Sequence, residues 1–79
     1  MVTMHRPVNV KWKVAVYGAE GAHAVAHYHV EGPGFRCSID IVTNEVIVGD
    51  APKEILAEAR EWAEANRDLL LETYKELNA

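Results

Sequence analysis

Between Pro52 and Leu77 the chain runs for 26 residues without an internal glycine or proline, and most of them are good helix formers. As one straight helix this segment would span ~39 Å, whereas an eight-residue strand covers only ~27 Å. A chain of 79 residues makes one domain, with one modest core. A single straight helix would therefore overhang any sheet it packs on. Ile55, Leu56, Ala59, Trp62, Ala63, Leu70, Tyr74 and Leu77 form an apolar stripe at helical spacing. The distal apolar group (Leu69, Leu70, Leu71, Tyr74, Leu77) must then bend back or find another chain. Asn66-Arg67-Asp68 is the expected place for a bend, because Asn can cap a new helical segment. Upstream, Gly49-Asp50-Ala51-Pro52 reads as the helix start, with Asp50 as cap and Pro52 in the first turn.

The first half of the chain follows a different period. Val8, Val10, Trp12, Val14 and Val16 alternate with Asn9, Lys11, Lys13, Ala15 and Tyr17, which predicts a half-buried strand. Gly18-Ala19-Glu20-Gly21 reads as a turn, and a second strand is expected from about His23 to Val30. Glu31-Gly32-Pro33-Gly34 is the next turn. In the third strand the parity flips, with Phe35, Cys37, Ile39 and Ile41 apolar and Arg36, Ser38 and Asp40 polar. Thr43-Asn44 can close a tight hairpin into a short fourth strand, Glu45 to Val48. The predicted architecture is one α+β domain over residues 1–79. An antiparallel meander of three or four strands (about 8–48) packs against a long, bent carboxyl-terminal helix (52–77).

Composition narrows the function without naming an activity. No apolar run approaches the ~20 residues of a membrane-spanning helix. The first residues, MVTMHRPVNV, lack the apolar block of a signal peptide. Cys37 is the single cysteine, so there is no internal disulfide and no multi-cysteine zinc site. The expected address is the cytoplasm. Residues 1–49 balance four acids (Glu20, Glu31, Asp40, Glu45) against four bases (Arg6, Lys11, Lys13, Arg36), so the net charge of −4 resides in residues 50–79. That balance does not favour a general nucleic-acid binder, although it leaves room for a local basic patch in the first half. All four histidines (His5, His23, His27, His29) lie in that half.

Strand parity gathers most of these histidines on one face. With the apolar faces of the second and third strands matched, Val30 lies opposite Phe35, Tyr28 opposite Cys37 and Ala26 opposite Ile39. His29 then faces Arg36, and His27 faces Ser38 with Asp40 diagonal to it. A turn shorter by two residues makes Asp40 the direct partner of His27. The face thus presents His23, His27, His29, Arg36, Ser38 and Asp40, with Lys11 or Lys13 alongside.

Three readings compete for this face. His27, His29 and Asp40 could hold a divalent metal as a two-His-one-carboxylate set, with Arg36 an awkward neighbour for a cation. Without metal, one imidazole could act as base and the other as acid, with Asp40 orienting and Arg36 steadying a phosphate, which would suit phosphodiester cleavage. The favoured reading treats the histidines as polar residues on a solvated or partner-covered sheet face. Cys37 falls on the apolar face and reads as an inert buried thiol, and Trp12 and Trp62 read as anchors of the sheet–helix core. Glu54, Glu58, Glu61, Glu64, Asp68, Glu72 and Glu76 form an acidic stripe. It is a solvated face, a docking face for a basic partner, or an inhibitor's mimic of nucleic-acid charge.

From Val14 onward, HYHV, FRCSIDI, VIVGDAPKEIL and EWAEANRDLLLETY follow in an order that resembles a small bacterial family, domain of unknown function 4160. The resemblance covers about 65 residues, and the spacing from His-Tyr-His-Val to Ile-Asp-Ile is its most specific part. His27, His29, Asp40, Gly49, Trp62 and Leu70 match the family pattern. Val25 and Ala26 stand where prolines are frequent, and Asn66 stands where a helical histidine is frequent, which would weaken any site completed by that histidine. The resemblance implies a partner protein encoded nearby, in a toxin–antitoxin-like pair, rather than a particular reaction.

The leading expectation is accordingly a cytosolic interaction protein that meets its partner, or its own copy as a homodimer, through the helix end or the sheet face. A histidine-dependent nuclease or phosphoesterase using His27, His29, Asp40 and Arg36 is the alternative. An acidic inhibitor is the third.

Overall fold

Alternation and turn chemistry lay down a meander. The computed structural model describes residues 1–18 and 25–79. Among them the elements run β1 (Val2–His5), β2 (Lys13–Val16), β3 (His27–Gly32), β4 (Phe35–Asp40), β5 (Val46–Asp50), α1 (Lys53–Ala65) and α2 (Arg67–Leu77). The strands form a sheet in sequence order, each antiparallel to the next. The α+β class stands, with a sheet of five strands rather than three or four.

The extra strand comes from the amino terminus. The expected first strand over 8–17 shortens to Lys13–Val16, and Val2–His5 pairs alongside it as an edge strand. The physical reason is Asn9, whose φ of 62° breaks an extended strand. Val8 is 84% exposed, so its place in the apolar alternation carries no burial. The expected start of the second strand at His23, and most of the expected turn before it, lie outside the described residues.

The β3–β4 hairpin adopts the tighter register. Gly32 pairs with Phe35, Val30 with Cys37, Tyr28 with Ile39 and His27 with Asp40. Only Pro33 and Gly34 remain in the turn, where proline presets φ and Gly34 takes φ of 80°. The β4–β5 turn is longer than a two-residue hairpin and spans Ile41 to Glu45. Asn44 takes φ of 62°, as its left-handed tolerance allows. Asp50 is the last residue of β5, opposite Arg36, and does not cap the helix. Pro52 occupies the N-cap position, and its carbonyl accepts the Leu56 N–H at 2.9 Å.

The long helical run bends at Asn66. This residue closes α1 rather than capping α2: its Nδ2 donates to the Trp62 carbonyl at 2.8 Å and its N–H to the Ala63 carbonyl at 3.1 Å. After the bend, α2 crosses the end of the sheet where β2 and β4 finish and β3 begins. Arg67 Nε donates to the Ile41 carbonyl at 3.2 Å, the Tyr74 ring meets the His27 ring at 5.6 Å, and Asn78 Nδ2 donates to the Tyr17 carbonyl at 3.2 Å.

The overhang is thereby resolved within the chain. Leu70 and Tyr74 are buried, Leu71 and Leu77 half-buried, and Leu69 exposed. The core lies between the sheet and the helices, with Val14, Val16, Tyr28, Val30, Cys37 and Ile39 packed on Ala59, Ala63 and Leu70. Trp12 is buried there as expected. Trp62 packs at the rim instead, half-buried, its ring stacked on His5 at 4.8 Å. Among the described residues, no helix is long and apolar enough to cross a membrane.

Candidate functional site

Register places Lys13 and Ala15 of β2, His27, His29 and Glu31 of β3, and Arg36, Ser38 and Asp40 of β4 on the sheet face away from the core. The two histidines come together, with ring centroids 5.1 Å apart. They are not solvated, since His27 is 9% exposed and His29 is 6% exposed. His27 Nδ1 lies 2.7 Å from the Val25 carbonyl, which can only accept, so that nitrogen carries the proton. His29 Nδ1 is 3.3 Å from Ser38 Oγ.

Tyr17 lies across this face. Its ring meets the edge of His29 at 4.8 Å, and its hydroxyl donates to the Glu31 carboxylate at 2.7 Å. Glu31 also takes Arg36 Nε at 3.0 Å, and the Arg36 guanidinium sits 5.3 Å from the Tyr17 ring centre. The outer face is therefore a connected polar network rather than a row of independent groups.

The four residues predicted for catalysis separate within this network. His27 and His29 are adjacent. Asp40 is the register partner of His27, but its carboxylate accepts the N–H groups of Val42 and Thr43 at 2.8 and 3.0 Å, so it fastens the β4–β5 turn. Arg36 is engaged by Glu31. Among the described residues, no group of three His, Cys, Asp or Glu side chains is arranged to hold a metal ion. His23 lies outside the described residues. Tyr17 and Glu31 are the members that sequence reasoning missed. Continuing the β3 alternation past His29 would have reached Glu31, which the neighbouring Gly-Pro-Gly assigned to a turn instead.

Cys37 sits on the core face, 2% exposed, and burial pushes its thiol pKa up, consistent with an inert thiol. The acidic residues of the helical stripe, from Glu54 to Glu76, are exposed.

A second feature adjoins the histidine face. A groove of about 210 Å³ is lined by Val25, His27, Ser38, Ile47 and Val48. It opens onto β5, the edge strand, where Val46, Ile47 and Val48 are 38%, 49% and 64% exposed.

Residues 12–75 match the protein family described as Domain of unknown function (DUF4160). The chain belongs to that family. The matched span takes in β2 to β5 and nearly all of both helices, so the polar network and the β5 edge both lie within the family domain, while β1 precedes it. No curated protein and no solved structure matches the chain.

Proposed function

We propose that this member of the family is a protein-interaction module that takes an extended segment of a partner protein along β5 as a sixth strand. The observation that carries the reading is the apolar run Val46–Val48, exposed on a sheet edge whose outer backbone groups have no neighbouring strand among the described residues. Proteins ordinarily blunt such edges with charge, proline or a covering element, and strand addition is a recurring mode of peptide recognition. Glu45 and Asp50 are exposed at either end of the run, so the complementary segment has an apolar centre and basic flanks. The groove between Val25, His27, Ser38, Ile47 and Val48 supplies a pocket for one of its side chains. The family resemblance adds the setting: a bacterial, cytosolic, toxin–antitoxin-like pair whose other member is encoded nearby.

A homodimer through this edge has less support. Two copies of β5 paired antiparallel about the Ile47–Val48 midpoint would set Glu45 of each against Asp50 of the other, and like charges directly opposite destabilise a strand pair. The helix overhang that motivated self-association is absent, because α2 folds back onto the sheet. A nuclease or phosphoesterase centred on His27, His29, Asp40 and Arg36 is also less supported, since Asp40, Arg36 and His27 Nδ1 are committed to internal bonds.

Calorimetric titration with the product of the adjacent gene tests the proposal. Ile47→Lys and Val48→Lys are expected to weaken binding at least tenfold while leaving unfolding free energy within ~0.5 kcal/mol, as surface changes usually do. Unchanged affinity in both variants would contradict it.

A further inference from the structure

Three of the four bases in residues 1–49 meet in one place. Arg6, Lys11 and Lys13 line an open depression of about 390 Å³, floored by Tyr17, Glu31 and Gly32. The one acid among these residues is already satisfied, with the Glu31 carboxylate accepting from the Tyr17 hydroxyl at 2.7 Å and from Arg36 Nε at 3.0 Å. Among the described residues, none of Arg6, Lys11 and Lys13 has an acidic partner within ion-pair distance. Like charges held around one concavity repel, and an anion bound between them removes that cost.

We propose that this depression binds the phosphate groups of a nucleic-acid strand. Exposed cations contribute little singly, so an open site of this kind retains a polyanion that touches all three together better than it retains one small anion. Two of the three cations are lysines, point charges suited to phosphates spaced along a backbone. Arg6 adds one guanidinium fork, which grips a phosphate through two parallel hydrogen bonds. The chain's net charge of −4 does not oppose this, because it arises in residues 50–79, whose acids apart from Asp50 at the end of β5 lie on the exposed surfaces of the helices. The site is distinct from the β5 edge and does not depend on it.

Fluorescence anisotropy with a labelled single-stranded RNA of about 12 nucleotides tests this. Three phosphate contacts predict a slope of log affinity against log salt near −2, a loss of roughly 15- to 20-fold between about 50 and 200 mM salt. The Lys11→Gln/Lys13→Gln variant is expected to flatten the slope to about −0.7, a loss of about threefold over the same range. Absence of salt-dependent binding, or an unchanged slope in the double variant, overturns the proposal. Displacement of the RNA by inorganic phosphate at constant ionic strength would reduce the depression to a single-phosphate site. Displacement by poly-glutamate as readily as by unlabelled RNA would assign it to an acidic protein. Either result also overturns the nucleic-acid reading.

Discussion

The hydroxyl of Tyr28, fully buried, donates to Asn44 Oδ1 at 2.6 Å. Asn44 Nδ2 in turn donates to the Arg60 carbonyl at 3.0 Å and to Glu64 Oε2 at 3.2 Å. One asparagine in a left-handed turn thus ties the β4–β5 connection to α1. Tyr28→Phe leaves a buried acceptor unsatisfied and is expected to cost ~1–3 kcal/mol in urea unfolding. Asn44→Ala loses those bonds and adds the strain of alanine at positive φ, for ~2–4 kcal/mol. Asn44→Gly, which relieves the strain, should recover part of that loss. Burial holds both the Tyr28 hydroxyl and the Cys37 thiol above their ordinary pKa values. The native state therefore keeps protons that the unfolded chain has lost, and stability falls as pH rises through about 9 to 10, where unfolded thiols and phenols ionise. Unfolding midpoints that stay level from pH 7 to 11 would contradict this. At neutral pH, Cys37 should react with a thiol reagent only after denaturant is added.

At the scale of elements, β5 owes its path to Gly49. It adopts φ of 80°, and a side chain there would run into the Arg36 carbonyl of β4. Gly34 has the same φ with open space around it. Gly34→Ala should therefore cost ~1–2 kcal/mol from backbone strain alone, and Gly49→Ala distinctly more, by urea midpoint. The β3–β4 pairing and the helix bend were legible in sequence because each rests on a local rule. The parity flip between Tyr28/Val30 and Cys37/Ile39 orients both strands, and a 26-residue helix cannot sit on so short a sheet. The strand Val2–His5 was not legible: four residues carry little alternation, and the apolar parity of Val8 and Val10 outweighed the turn at Asn9. In the candidate site, His27 and His29 were legible from alternation. Glu31 continues that alternation but was masked by the turn signal of the neighbouring Gly-Pro-Gly, and Tyr17 was not legible because a long side chain reaching across strands depends on register that no short window reveals.

For the molecule as a whole, α2 carries structure and not a detachable docking end. Removing residues 70–79 takes out Leu70 and Tyr74, both buried, and loss of one such side chain alone costs ~2–5 kcal/mol, a large part of a small domain's stability. The truncated chain should lose its cooperative thermal transition. Surfaces left for partners are then divided by chemistry: an apolar edge at β5, a basic depression beside β2, and acidic helices. Of these, β5 is the proposed partner edge. Amide hydrogen exchange of the protein alone and bound to the adjacent gene's product reads that edge directly. Exchange in Val46–Val48 should slow on binding, and Val48→Lys should abolish that protection together with binding. Tight binding that leaves β5 exchange unchanged while protecting α1 or α2 would contradict it.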